Sequence, residues 1–414
     1  MRTYLPVILA VLSLLLVCPA FSAPGVGAHR HRHTFNSHGA VDVCDHPTKD
    51  ERKRNSHVYL NRATLLLAKG NFELAISELD KAIRLNPGNV VLYRVRGKAH
   101  KALEQNDLAI VDFSEAIRLN PNDAAEYTNR GTAYQGKHDI DDALADYDMA
   151  IRLNPTDPVA YFLRSGAYEE RGELDLAIAD YGIVIHLKKK DPLALVALAY
   201  RGEAYEVRGD FDRAIADYGS AIRLDPRDST MDDNRGNAYQ INGDFLHAIK
   251  DFDSAIRINS ADSFAYRSRG IAYFYRGFLQ QAYHDFKTAN ELDPRDAYAA
   301  LWLDVASYRT GRRSSLPEAV VHVDMSKWPA PVIRRYLDEI TAEALRSAAE
   351  DLDPSTRSER ICEANFYDGA LALRHGSVNE ALSLLRAAGK ECPKNLIEWI
   401  AANAELTALE HASR

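Results

Sequence analysis

The sequence predicts an all-α solenoid of stacked helix–turn–helix units, closed by a helical cap. Three observations carry this. "AIRLNP" occurs at 82–87, 116–121 and 150–155, a period of 34 residues, and "AIRLDP" at 221–226 and "AIRINS" at 255–260 continue it. Small residues recur eight residues into each unit: Ala63, Gly97, Gly131, Ser165, Gly202, Gly236 and Gly270, where two helices must approach closely. Large ones recur sixteen residues later: Leu79, Phe113, Tyr147, Tyr181, Tyr218, Phe252 and Phe286, which fill the space between helices.

A period of this length with helical patterning resembles the tetratricopeptide-repeat family. That resemblance implies a right-handed superhelical solenoid whose first helices line a concave, partner-binding face. Units fall at 56–89, 90–123, 124–157, 158–191, 195–228, 229–262 and 263–296, with an insertion at 192–194 and one further first-type helix at 297–311. The array is thus 56–311. Pro87, Pro121, Pro155, Pro226 and Pro294 follow the second helices and stop further winding.

Two more regularities accompany the packing positions. Arg62, Arg96, Arg130, Arg164, Arg201, Arg235 and Arg269 hold the seventh position of their units. Glu78 and then Asp112, Asp146, Asp180, Asp217, Asp251 and Asp285 hold the twenty-third. Either these form a ladder of ion pairs that sets register, or they are solvated charges of little weight.

After the array, "RRSSLPEAV" breaks the pattern, and 312–361 is expected to be a linker with one amphipathic helix over Val332–Glu350 and a loop at "DLDPSTRSE". The register resumes at 362–414, a final repeat-like unit plus the closing helix "LIEWIAANAELTALE". From "WPAPVIRRYL" through "CEANFYDGALALRHGSVNEALSLL", this last quarter resembles NlpI-type periplasmic repeat proteins. The resemblance implies a scaffold for envelope enzymes, such as cell-wall hydrolases or a protease, and a homodimer.

Cys362, beside Asn365, invites a reading as a nucleophile. The register argues otherwise. Cys362 opens the first helix of the last unit and Cys392 ends its second, so both lie at the same end of a helical hairpin, placed for a disulfide.

The N-terminus reads as a signal peptide over 1–22: Arg2, an apolar run Leu5–Val17, and small residues in "AFS" before a cut after Ser22. Cys18 offers a lipidation alternative, the one route to membrane attachment, but Val17 before it is not the small residue such sites carry. The mature chain is expected to be exported, periplasmic or secreted, and soluble. Residues 23–55 read as a flexible His-rich arm. His29, His31, His33, His38, Cys44 and His46 are weak metal candidates, and metal buffering by this arm is the alternative function.

No cofactor, nucleotide loop, metalloprotease motif or nucleophile elbow is legible, so no enzyme is expected. A net charge of −8 gives no footprint for nucleic acid. The expected function is a scaffold or adaptor binding proteins or peptides on the concave face. That face is basic at Arg94, Lys98 and Lys101, acidic at Glu169, Glu170, Glu203 and Glu206 with Phe162 beside them, polar at Asn237, and aromatic at Phe264, Phe274 and Tyr275 with Arg267. Either the aromatic end anchors a peptide, or Phe264, Phe274 and Tyr275 pack against 297–311 or a second subunit. The Lys–Asn clamp that some family members use for acidic tails is absent: Leu60/Thr64, Arg94/Lys98 and Thr128/Thr132 stand there.

Overall fold

A computed structural model describes residues 48–189, 191–350, 353–394 and 396–412, and these fold into helices without strands. The signal peptide, Cys18, the histidines of the arm and Cys44 lie outside the described residues. The chain divides into two compact units, with the boundary between Ala167 and Tyr168.

The first unit holds helix pairs Lys49–Ala68 with Phe72–Leu85, Val90–Ala102 with Asn106–Leu119, and Ala124–Gln135 with Ile140–Leu153, then the start of Pro158–Glu170. Its first helix begins seven residues earlier than a flexible arm reaching residue 55 allows. The cause is a capping box in "TKDE": Thr48 Oγ1 accepts from the Glu51 amide at 3.2 Å, and the Glu51 carboxylate accepts from the Thr48 amide at 2.8 Å.

The second unit continues with Leu174–Leu187, Pro192–Val207 with Phe211–Leu224, Ser229–Ile241 with Phe245–Ile258, and Ser263–Tyr275 with Leu279–Leu292, followed by Ala297–Arg309. The insertion lengthens a helix rather than a loop. Asp191 accepts from the Leu193 amide at 3.0 Å, Pro192 takes the first helical position, and the helix starts early.

Close packing explains the small residues. A Cβ added to Gly202 would lie 2.6 Å from Cε1 of Tyr218, sixteen residues on in the same unit. The charged positions form the ladder. Arg–carboxylate separations are 2.6 Å for Arg96–Asp112, 2.7 Å for Arg130–Asp146 and Arg201–Asp217, 2.6 Å for Arg235–Asp251, 2.8 Å for Arg269–Asp285, and 3.8 Å for the more exposed Arg62–Glu78. Each of the close pairs is two-pronged, through Nε and Nη2. The remaining Nη1 turns back to the previous repeat: Arg96 to Asp80 at 2.6 Å, Arg130 to Ser114 at 3.1 Å, Arg164 to Asp148 at 2.6 Å, and Arg269 to Asp253 at 2.6 Å.

Beyond the array, the single helix expected over Val332–Glu350 is two, Ala330–Tyr336 and Ala342–Ala349. Asp338 takes a left-handed conformation at φ 58°, which ends the first. Thr341 then caps the second by accepting from the Ala344 amide at 3.2 Å. "DLDPSTRSE" is not a loop throughout: Asp353 accepts from the Thr356 amide at 2.9 Å and Pro354 opens a helix running to Arg374. That helix pairs with Val378–Glu391, and Ile397–Ala412 covers them. Cys362 and Cys392 are disulfide-bonded across this last hairpin, Cα to Cα 4.9 Å. The bridge spans 30 residues. Replacing Cys392 by serine should therefore cost roughly 3–4 kcal/mol. Denaturant titration with and without reductant measures it, and a midpoint indifferent to both changes would show that the staple adds nothing.

Candidate functional site

The face built from the first helices carries the expected binding residues, and the two units present different chemistry. In the first unit Arg94, Lys98 and Lys101 share one face of Val90–Ala102, spaced for neighbouring turns. Arg94 is already engaged. Its guanidinium binds the carboxylates of Asp123 and Glu126 on the next first helix. Glu126 is fully buried, and that burial raises its carboxyl above the ordinary range despite Arg94. Lys101 is half-buried, and loss of solvent lowers its ammonium pKa. Lys98 is half-buried.

In the second unit Glu169, Glu203 and Glu206 stand together. Burial pushes Glu169 up to about 7, the like charge of Glu203 adds to the shift, and a hydrogen bond from Tyr181 opposes it. Burial and Glu203 push Glu206 up to about 8, and burial raises Glu203 as well. Tyr200 packs among them and is pushed up to about 12 by burial and by the charges of Glu203 and Glu169. One carboxylate oxygen of Glu206 is buried with no hydrogen-bond partner. Glu170 is exposed at the rim, and Asn237 is half-buried one repeat further on. Beside Asn237, Asp233 and Gln240 are 5% and 1% exposed, and each has a buried side-chain oxygen without a partner. Phe162 is half-buried in the first unit.

The aromatic end is a correction. Phe274 is 6% exposed and Tyr275 packs beside it against Trp302 at ring separations of 5.8 and 6.1 Å. They close the core around 297–309 and are not free anchors. Burial raises the Tyr275 hydroxyl well above its usual range, with Glu405 and Glu398 adding to it. Phe264 stays 41% exposed, with the Arg267 guanidinium over its ring and 3.0 Å from Asp296.

The sequence reading passed over the capping residues, one asparagine and six aspartates, at the ends of the repeats. Asn89, Asp123, Asp157, Asp191, Asp228, Asp262 and Asp296 each cap a first helix by accepting a backbone N–H at 2.9–3.1 Å. Their recurrence at the last position of every unit was the available signal. Two of them, Asp123 and Asp296, also hold the arginine at the fifth position of their own unit.

For chemistry the face offers acids, amides and phenols. Among the described residues no group of three His, Cys, Asp or Glu is placed to hold a metal ion. A shallow depression around Ser326, Lys327, Trp328, Arg334 and Arg360 has its serine hydroxyl bonded to Asp324 at 2.6 Å and its lysine paired with the same carboxylate at 3.2 Å. No described helix is long and apolar enough to cross a membrane.

Family models for the tetratricopeptide repeat match residues 60–124, 124–157 and 196–228. Among solved structures, the C-terminal part of a repeat-containing protein from Cytophaga hutchinsonii superposes with a TM-score of 0.52 at 19% identity, over 59% of this chain and 99% of that one. That superposition shows the helical repeat fold. A MamA structure is 26% identical with a TM-score of 0.38, over 41% of this chain and 96% of that one. YrrB, described as a repeat protein with an unusual peptide-binding site, is 19% identical with a TM-score of 0.40, over 45% and 95%. No curated protein sequence matches the chain.

Proposed function

Because this chain is a tetratricopeptide-repeat protein, we propose that it is a non-enzymatic scaffold that holds protein or peptide partners on its first-helix face. One observation carries the reading. Along that face of the second unit, half-buried Glu169, Glu203, Glu206 and Asn237 alternate with Asp233 and Gln240, whose buried oxygens lack partners. A buried oxygen without a donor is costly in the free protein, and a docked chain that brings a donor to it removes that cost.

The proposal extends to place. The apolar run Leu5–Val17 suits export, and the Cys362–Cys392 bridge suits an oxidising compartment. The resemblance of the last quarter to NlpI-type proteins supports a dimeric organiser of envelope enzymes. Metal buffering by His29, His31, His33, His38, Cys44 and His46 is the competing role, and zinc affinity lost on deleting residues 24–47, which spares the Thr48 cap and the helix from Lys49, would favour it.

Site-specific photo-crosslinking in the native cell envelope tests the scaffold. A benzophenone amino acid at Asn237, on the proposed face, should capture partner protein in a discrete band. The same group at Lys250, exposed on a second helix, should capture far less. Equal capture at both positions, or none at Asn237, would overturn the assignment of the face.

A further inference from the structure

The chain contains its own examples of how a cation is held on this face. At the fifth position of its unit, Arg94 binds Asp123, the aspartate that caps the next first helix. Arg267, at the same position, lies 3.0 Å from the equivalent cap, Asp296. In the unit 229–262 the cap is Asp262, and the fifth-position residue is Asp233. A second carboxylate thus stands where the other two units place a guanidinium.

Asp233 is 5% exposed, and its Oδ1 is buried without a hydrogen-bond partner. Its other contact is with the Asp262 carboxyl, and the charges acting on it, Asp262, Asp232 and Asp228, are all acidic. Asp262 is only half-buried, so the pair is reached from the first-helix face. The acidic character continues along that face to Glu206 and Glu203 in the preceding unit.

We propose that Asp233 and Asp262 form a subsite for one cationic side chain, arginine or lysine, of an extended partner peptide. The partner's guanidinium or ammonium takes the place that Arg94 and Arg267 fill in their own units. This rests on the reading of the first-helix face as the docking surface. Charge complementarity selects the occupant, since two adjacent carboxylates gain most from a cation that can bridge them.

In the free protein, burial and Asp262 push Asp233 up to about 8, so the Asp233 carboxyl holds a proton at neutral pH. A bound cation displaces that proton to solvent. Binding at pH 7 therefore releases about one proton, and affinity rises as pH climbs toward 8.

The test is selection of 12-residue peptides from a random display library on residues 23–414 at pH 8, followed by calorimetric titration. Selected peptides should share a lysine or arginine, and replacing it by norleucine should weaken binding about tenfold or more. Asp233→Arg recreates the internal pair of the other units, so it should fold normally and lose binding by a similar factor. Asp233→Asn, which keeps the volume, should also lose it. Titrations at pH 7 in buffers of different ionisation enthalpy should register the released proton. Peptides selected without a basic residue, or bound undiminished by both variants, would overturn the subsite while leaving the face intact. Recovery of no peptide on the wild-type protein would remove both.

Discussion

Replacing Arg96 with methionine should destabilise the first unit by about 3–5 kcal/mol. Asp112, the partner, is 2% exposed, and the guanidinium meets it through Nε and Nη2. Removing the arginine strands a buried carboxylate and also frees Asp80, which Arg96 binds through Nη1. Coulomb attraction on a surface would predict under about 1 kcal/mol, so the size of the loss separates the two pictures. Adding Asp112→Leu to Arg96→Met should return most of the stability, because the stranded charge goes with it. Urea denaturation followed by circular dichroism measures the cycle. Single losses below about 1 kcal/mol that simply add would reduce the ladder to solvated charges.

Trp302→Ala should cost the second unit about 3–5 kcal/mol. The indole is fully buried and lies 5.6 Å from Phe286, 5.7 Å from Phe366 and 5.8 Å from Phe274, ring to ring. It therefore joins the last array helices to the disulfide-closed hairpin, and alanine would leave a cavity touching both. Trp302→Phe should cost much less. It keeps an aromatic ring and deletes a buried indole N–H that has no acceptor. A loss for Trp302→Phe as large as that for Trp302→Ala would show that an aromatic ring at this position does not restore the packing.

Much of the fold was legible because its packing repeats. Gly202 and Tyr218 announce themselves only when seven copies are laid in register, and Arg96 and Asp112 likewise. Where a feature occurs once, the reading failed for local reasons. The helix break at Asp338 depends on one left-handed residue in a stretch whose apolar pattern runs straight through it. Thr48 and Glu51, or Asp353 and Pro354, are start signals that were passed over because no apolar period flanked them. The site was legible by position and not by burial. For Phe274 the sequence leaves two outcomes open, an anchor on the binding face or packing against 297–311, and Trp302 lies behind it and draws it inward. Asp233 was visible as a polar residue. Its meaning needed the pairing of Arg94 and Arg267 with their caps.

The Nη1 arm of each ladder arginine has a consequence for how such a chain can grow. Going back one repeat, it finds Asp80, Ser114, Asp148 or Asp253, and where Gly182 or Gly219 stands instead, Nη1 of Arg201 or Arg235 occupies the room a side chain would take, 3.3 Å from where its Cβ would be. The connector between neighbours thus tolerates an acid, an alcohol or nothing at all. Within the regular units, a 34-residue segment copied or deleted in frame keeps this connector between the two new neighbours. Lengthening by tandem duplication then needs no compensating substitution at the seam, and the binding face can diversify copy by copy while the joint stays generic.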